Sequence, residues 1–148
     1  MSDLPPAIGW FDGKAHVFPV RAYFEDTDLS GIVYHANYLR WMERARSDML
    51  LAAGVDQRGS FEGDGGVYAV AELTVRFAAP ARLDDDCQVH SRVLAVRGAS
   101  TRIQQRVMLG DRLLTDATVT AAWTRGGRAA RQPRDWVDAF KALMETGE

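Results

Sequence analysis

One long helical period, standing ahead of a series of alternating runs, constrains this chain more than any other feature. From Asn37 onward, apolar residues recur at three- and four-residue steps: Tyr38, Trp41, Met42, Ala45, Met49 and Ala52. Arg40, Glu43, Arg44, Ser47 and Asp48 fall mostly on the other faces. Asn37 is expected to cap the N-terminus and Gly54 to close the far end, which predicts a helix over residues 37–53. The apolar stripe is wide, so this helix belongs in a core. No other long helical pattern precedes the C-terminus.

What surrounds it reads as strand. Residues 16–24 look extended, with Phe18, Val20, Ala22 and Phe24 alternating with Pro19, Arg21 and Tyr23. Pro19 cannot donate to a ladder and is expected at an edge or near the strand start. Beyond a Gly/Asp-rich loop (residues 59–66), Val67, Ala69, Ala71, Leu73, Val75 and Phe77 alternate until Pro80. Further extended runs follow over residues 88–97, 101–109 and 117–124, separated by turn signals such as Gly110-Asp111. Residues 135–144 return to helical spacing at Trp136, Val137, Phe140 and Met144. Consecutive strands on short turns imply an antiparallel sheet, and one apolar helix laid across it buries both. The expectation is α+β, a single domain over residues 15–146, preceded by a loose arm at residues 1–14 that holds Pro5, Pro6, Gly9 and Gly13. A sheet with one helical layer also leaves an edge or face that oligomerisation would cover.

The 148 residues suffice for one domain with a real core. Lys plus Arg number 18 against 20 Asp plus Glu, for a formal charge of −2, which argues against a nucleic-acid-coating surface. The late basic residues Arg125, Arg128, Arg131 and Arg134 read as a solvated connection. One cysteine, Cys87, excludes an internal disulfide, and three histidines are too few for a Cys/His zinc cluster. The N-terminus carries an acid and two prolines in place of a secretory pattern, and no stretch is apolar for long enough to span a bilayer. A cytoplasmic location and no membrane span are expected.

The chemistry gathers in residues 23–46, YFEDTDLSGIVYHANYLRWMERAR. Asp26, Asp28, Ser30 and Gly31 imitate the start of a calcium loop. Position twelve should be a bidentate Glu, is Asn37, and the preceding segment reads as strand, so the match fails. A metal centre built from Asp26, Asp28 and His35 has suitable donors, but its spacing fits no motif that fixes a geometry. Acyl transfer asks for less. Asp28 supplies a base or nucleophile, and the amides from Tyr34 to Asn37 lie at a helix start, where the dipole favours a developing oxyanion. His35 adds a titratable donor beside that point, and Gly31 permits the sharp turn that returns Asp28 toward the helix. Read from these residues alone, a structural role stays open, with Asp26 and Asp28 as Asx-turn formers and His35 as a satisfied partner.

Asp26-Thr27-Asp28-x-x-Gly31-x-Val33-Tyr34-His35-Ala36-Asn37-Tyr38-Leu39, followed by Glu43-Arg44-Ala45-Arg46, resembles the hotdog-fold acyl-CoA thioesterases. The branch most like it is that of the Tol-Pal-associated acyl-CoA thioesterases, relatives of 4-hydroxybenzoyl-CoA thioesterase. The resemblance runs from about Val17 to Trp123 and includes Val96-Arg97-Gly98-Ala99-Ser100. It implies a hotdog fold, with a five-stranded antiparallel sheet wrapped around the long helix, plus the short C-terminal helix. It further implies homodimers or homotetramers with active sites at the subunit interface. The family's catalytic aspartate falls on Asp28, and its backbone donor to the thioester carbonyl falls on His35. Arg97 matches a basic position that contacts the nucleotide end of CoA in a relative. That relative has a denser basic cluster, whereas Gly98 and Ala99 follow here.

The resulting expectation is an acyl-CoA thioesterase with Asp28 and His35 catalytic, and Tyr34, Asn37, Glu43 and Arg97 toward the substrate. Glu43 is read as structural or pocket-lining. Because thiolate is a good leaving group, no metal or cofactor is expected. Three alternatives stand beside it. An acyl carrier protein could deliver the substrate, met by a basic rim of Arg92, Arg97, Arg102, Arg128 and Arg131. A hotdog dehydratase or hydratase would want a His and a carboxylate facing each other across the pocket. A non-catalytic acyl-binding, envelope-associated interaction protein would have lost Asp28, which is present.

Overall fold

The alternating runs become one antiparallel sheet, in which some neighbours are joined by short turns and others are brought together across long connections. A computed structural model describes residues 4–144. The order along the chain is β1 (Trp10–Asp12), β2 (Ala15–Arg21), α1 (His35–Ala52), α2 (Gln57–Gly63), β3 (Val67–Phe77), β4 (Asp86–Val96), β5 (Ser100–Leu109), β6 (Arg112–Arg125), β7 (Arg128–Ala129) and α3 (Arg134–Leu143). Across the sheet the strands run β1-β2-β4-β5-β6-β3, with β7 paired to β6. Five long strands form the expected α+β frame, and two short ones extend it. Pro19 lies in the half of β2 beyond its β1 partners, where only β4 is paired, as its missing N–H requires.

Helix α1 lays its predicted stripe on this sheet. Tyr38, Trp41, Met42 and Ala45 join Phe18, Val89, Val107 and Leu114 in one cluster. Met49 and Leu50 continue into a second cluster with Trp123, Trp136 and Phe140. Met42 and Met49 are almost wholly buried, and burial of each contributes about 1.5–3 kcal/mol. Trp136 meets Trp123 edge-on at 5.0 Å, which docks α3. Buried Gln132 ties the same region together. Its Oε1 accepts from Tyr68 Oη at 2.6 Å and Thr101 Oγ1 at 2.8 Å, and its Nε2 donates to the carbonyls of Arg97 and Ser100.

Three local expectations are corrected. The helix begins at His35, two residues before Asn37, and Tyr34 is its cap residue. Residues 57–63 form α2 where a loop was expected, because Asp56 Oδ1 caps the first turn by accepting from the Gly59 amide at 2.8 Å. The stretch before residue 15 is also more ordered than a loose arm. β1 forms a hairpin with β2, and the amides of Ile8 and Gly9 both donate to the Asp48 carboxylate at 2.7 Å.

Strand β3 is the exception to burial. It lies at the edge of the sheet, and Val67, Val70, Leu73 and Phe77 are all exposed, Val70 by 51% and Phe77 by 47%. An eleven-residue apolar edge with unpaired backbone groups invites another strand.

Candidate active site

The loop between β2 and α1 is a compact device. A single turn of 3₁₀ helix (Phe24–Asp26) is closed by Asp26 Oδ2, which accepts the Tyr23 amide at 2.9 Å. Thr27 then bridges Val33 in antiparallel fashion, and the Asp28 amide donates to the Ile32 carbonyl at 2.9 Å. The turn between them needs Gly31, whose φ of +83° lies in the left-handed region. At its tip the Asp28 carboxylate is exposed. Oδ1 accepts from the Ser30 amide at 2.8 Å and the Ser30 hydroxyl at 2.6 Å. These two donors, the hydroxyl foremost, hold the carboxyl below the ordinary aspartate range. The backbone amides of Ile32 and of Asp28 itself act on the carboxylate more weakly.

The Asp26 carbonyl carries the loop to the helix. It accepts the Tyr34 amide at 2.9 Å and Asn37 Nδ2 at 2.8 Å. Asn37 is therefore a buried tie between loop and first turn, and not the N-cap that its position suggested. The Val33 amide donates to the Ala81 carbonyl, and the Ala81 amide donates to Tyr38 Oη at 2.8 Å, which anchors the same turn to the sheet. Tyr34 makes no side-chain cap, so no side chain of the described residues accepts the His35 and Ala36 amides. The His35 ring is exposed, 4.4 Å from the Tyr34 ring and 6.1 Å from Phe77 at the end of β3. Asp26, turned toward Tyr23, takes no part with Asp28 and His35. Among the described residues no group of three His, Cys, Asp or Glu side chains could hold a metal.

The loop thus sets an exposed carboxylate on the turn that leads into α1. Comparison with known proteins places the chain in a family. Residues 30–116 match the family model described as the thioesterase superfamily. The chain belongs to the thioesterase superfamily. It is similar to the acyl-CoA thioesterase YbgC of Haemophilus influenzae, at 40% identity over 105 residues, covering 71% of this chain and 77% of that protein. It is also similar to the probable thioesterase of Bartonella henselae, at 32% identity and a TM-score of 0.76, covering 80% of this chain and 99% of that one. A mutant 4-hydroxybenzoyl CoA thioesterase, complexed with 4-hydroxybenzoyl CoA, shares the hotdog fold at 20% identity and a TM-score of 0.80, covering 85% and 98%.

Within this thioesterase-superfamily chain, the remaining predicted site residues scatter. Glu43 is eight residues along α1 from His35, about 12 Å at 1.5 Å per residue. It lines a cavity of about 240 Å³ between α1, α2 and the sheet, together with Arg46, Leu50, Tyr68, Val70 and Phe140. That cavity is partly enclosed, and it lies well away from its own Asp28 loop. Arg97 follows the end of β4, whereas the loop after Val33 leans on Ala81, just before the start of β4. One chain therefore does not bring Arg97 to Asp28. Arg97 instead borders a small groove with Arg102, Ser100 and Thr120. Trp41, Tyr38 and Met42 are core and do not line the cavity.

Sequence reasoning passed over Ser30 and Arg46. Ser30 carried a signal, since a hydroxyl two residues after an aspartate is an Asx-turn pattern. Arg46 carried none, because its partner is 59 residues away: Nη1 donates to Gln105 Oε1 at 2.8 Å. The late arginines are solvated as read, with Arg125 paired to Asp64 and Arg134 facing Asp138.

Proposed function

We propose that this chain hydrolyses acyl-CoA to free acid and CoA. The observation that supports this is the exposed Asp28 carboxylate, held at a fixed turn that the Asp26 carbonyl ties to the start of α1. The His35 amide takes the thioester carbonyl and stabilises the negative charge that forms on its oxygen, helped by the positive end of the helix. Asp28 accepts a proton from the water that attacks the carbonyl carbon, or attacks that carbon itself to form an anhydride that water then opens. The C–S bond breaks with its electron pair on sulfur, and the thiolate takes up a proton. The His35 ring orients the water or the thioester, and Tyr34 flanks it. The named activity of the Haemophilus relative supports this reading.

The working site is interfacial. The β3 edge supports a second copy pairing antiparallel with it, since its backbone groups are open and its apolar side chains exposed. Antiparallel pairing about the middle of β3 reverses strand direction. It brings Tyr68 and Val70 of one copy toward Phe77 of the other, and so brings the enclosed cavity toward the other copy's Asp28 loop. Such pairing also offers Arg97 a route to the CoA phosphates of a neighbouring site. Homodimers, and dimers of dimers, suit this arrangement. No helix among the described residues is long and apolar enough to cross a membrane, and a cytoplasmic setting suits a buried free thiol such as Cys87.

A carrier-protein substrate is the second reading, favoured by arginines on the outward face of the sheet at Arg97 and Arg102. The test is thiol release from short, long and aromatic acyl-CoAs by wild type and Asp28→Asn. Wild-type turnover with a loss of about 10²–10⁴-fold in the folded variant is expected. Release from carrier-protein thioesters alone would favour the second reading, and release from neither would overturn both.

A further inference from the structure

The cavity beside α1 is apolar over most of its wall, yet it holds one cation. Met49, Leu50, Val70, Ile103, Ala121 and Phe140 form the apolar part, while Arg46 is its single cation and Glu43 its single carboxylate. Arg46 is half-buried and held at one nitrogen by Gln105. Gln105, wholly buried, donates from Nε2 to the Met42 carbonyl at 2.9 Å and to Ser91 Oγ at 3.0 Å. A carbonyl cannot donate, so the amide NH2 must face Met42, and Oε1 is left for Arg46 alone. A guanidinium has five N–H donors. One is used on Gln105, and Arg46 makes no ion pair among the described residues. Burial pushes the guanidinium below its ordinary range, and the Glu43 charge opposes that push without cancelling it. Oriented donors without acceptors, on the wall of an apolar cavity, favour a ligand oxygen.

Resting on the thioesterase reading above, we propose that Arg46 is a specificity-determining residue. It donates to an acceptor oxygen at the far end of the acyl group, so the preferred substrates are acyl thioesters tipped by a carboxylate or hydroxyl. A methyl tip would leave the guanidinium dry and unpaired, the situation in which polar sites discriminate most strongly. The cavity, about 240 Å³, is small for a ligand site and suits a short acyl group. Glu43 does not reverse the preference. It is exposed, so solvent and salt screen its repulsion of a carboxylate tip, while half-buried Arg46 is screened less. A hydroxyl tip can accept from Arg46 and donate to Glu43 at once.

The test uses three non-hydrolysable thioether analogues of acyl-CoA, matched in length and ending in methyl, hydroxyl or carboxylate. Their binding is measured by calorimetry on wild type, Arg46→Met and Arg46→Lys. Wild type is expected to bind both oxygen-tipped analogues about 10- to 100-fold more tightly than the methyl-tipped one. Arg46→Met should lose or reverse that ratio, and Arg46→Lys should keep part of it. Ratios within one variant cancel any loss of folded protein, and Arg46→Lys serves if Arg46→Met does not fold. Equal wild-type affinities, a preference that survives Arg46→Met, or no binding at all would overturn the proposal. Hydrolysis of the corresponding thioesters is followed separately. A tip preference without turnover would sink the hydrolytic reading and leave the subsite standing.

Discussion

Asp28 and Ser30 show how two short hydrogen bonds fix a carboxylate at a turn. Oδ1 is committed to the Ser30 hydroxyl and amide, which fixes how the carboxylate is turned. The same donors stabilise its charged form and lower its proton affinity. Turnover that needs the carboxylate therefore falls as pH drops through a depressed pKa. Removing the hydroxyl in Ser30→Ala takes away the larger donor, so the acid limb of kcat/KM should move to higher pH. The amide bond to Oδ1 remains. An acid limb that stays in place on a full pH profile would show that Ser30 shapes the turn without acting on Asp28.

At the scale of elements, the Asp48 carboxylate holds three pieces of chain together. On α1 and nearly buried, it accepts the amides of Ile8 and Gly9 and faces His16 Nε2 at 3.0 Å on β2. His16 Nδ1 has no partner. A protonated ring would bury an unpaired N–H there, so the geometry favours the neutral ring. Burial accordingly lowers the His16 pKa, outweighing the attraction of Asp48. The unfolded chain then binds the extra proton first, so stability is full above the ordinary histidine pKa of about 6.5 and declines as pH falls below it. Asp48→Ala strands two amides and one imidazole and should cost about 3 kcal/mol or more. Denaturant melts at pH 7.5 and 5.5 check both statements. A variant as stable as wild type would remove the clamp, and a wild-type stability independent of pH would remove the histidine argument.

At the scale of the whole molecule, the question is what covers β3. A single chain leaves this strand exposed, the enclosed cavity far along α1 from its own Asp28, and Arg97 at the far end of β4. A second copy on the β3 edge would relieve all three conditions together. Leu73→Glu places like charges across such a pairing, and like charges facing each other destabilise a ladder. Sedimentation of this variant should give monomers, and acyl-CoA turnover should fall with association. Full activity as a monomer would show that each chain carries a complete site.

The sequence by itself determined the frame and the Asp28 loop. Helix and strand periods are local properties, and they marked α1, the five long strands and α3, although β6 begins at Arg112, five residues before the run read over residues 117–124. The Asp28 turn is equally local, since Gly31, Ser30 and the helix start all lie within eight residues of the carboxylate. Asn37 was legible as important but not in its role, because its partner is the Asp26 carbonyl, and backbone acceptors leave no mark on sequence. Only the tertiary structure decided the rest. Arg46 meets Gln105 across 59 residues, Asp48 meets His16 across 32, and Arg97 parts from Asp28 because β4 runs its full length between them. Such contacts follow from strand order and register, which no periodicity encodes, and those decide which distant polar groups share a buried space.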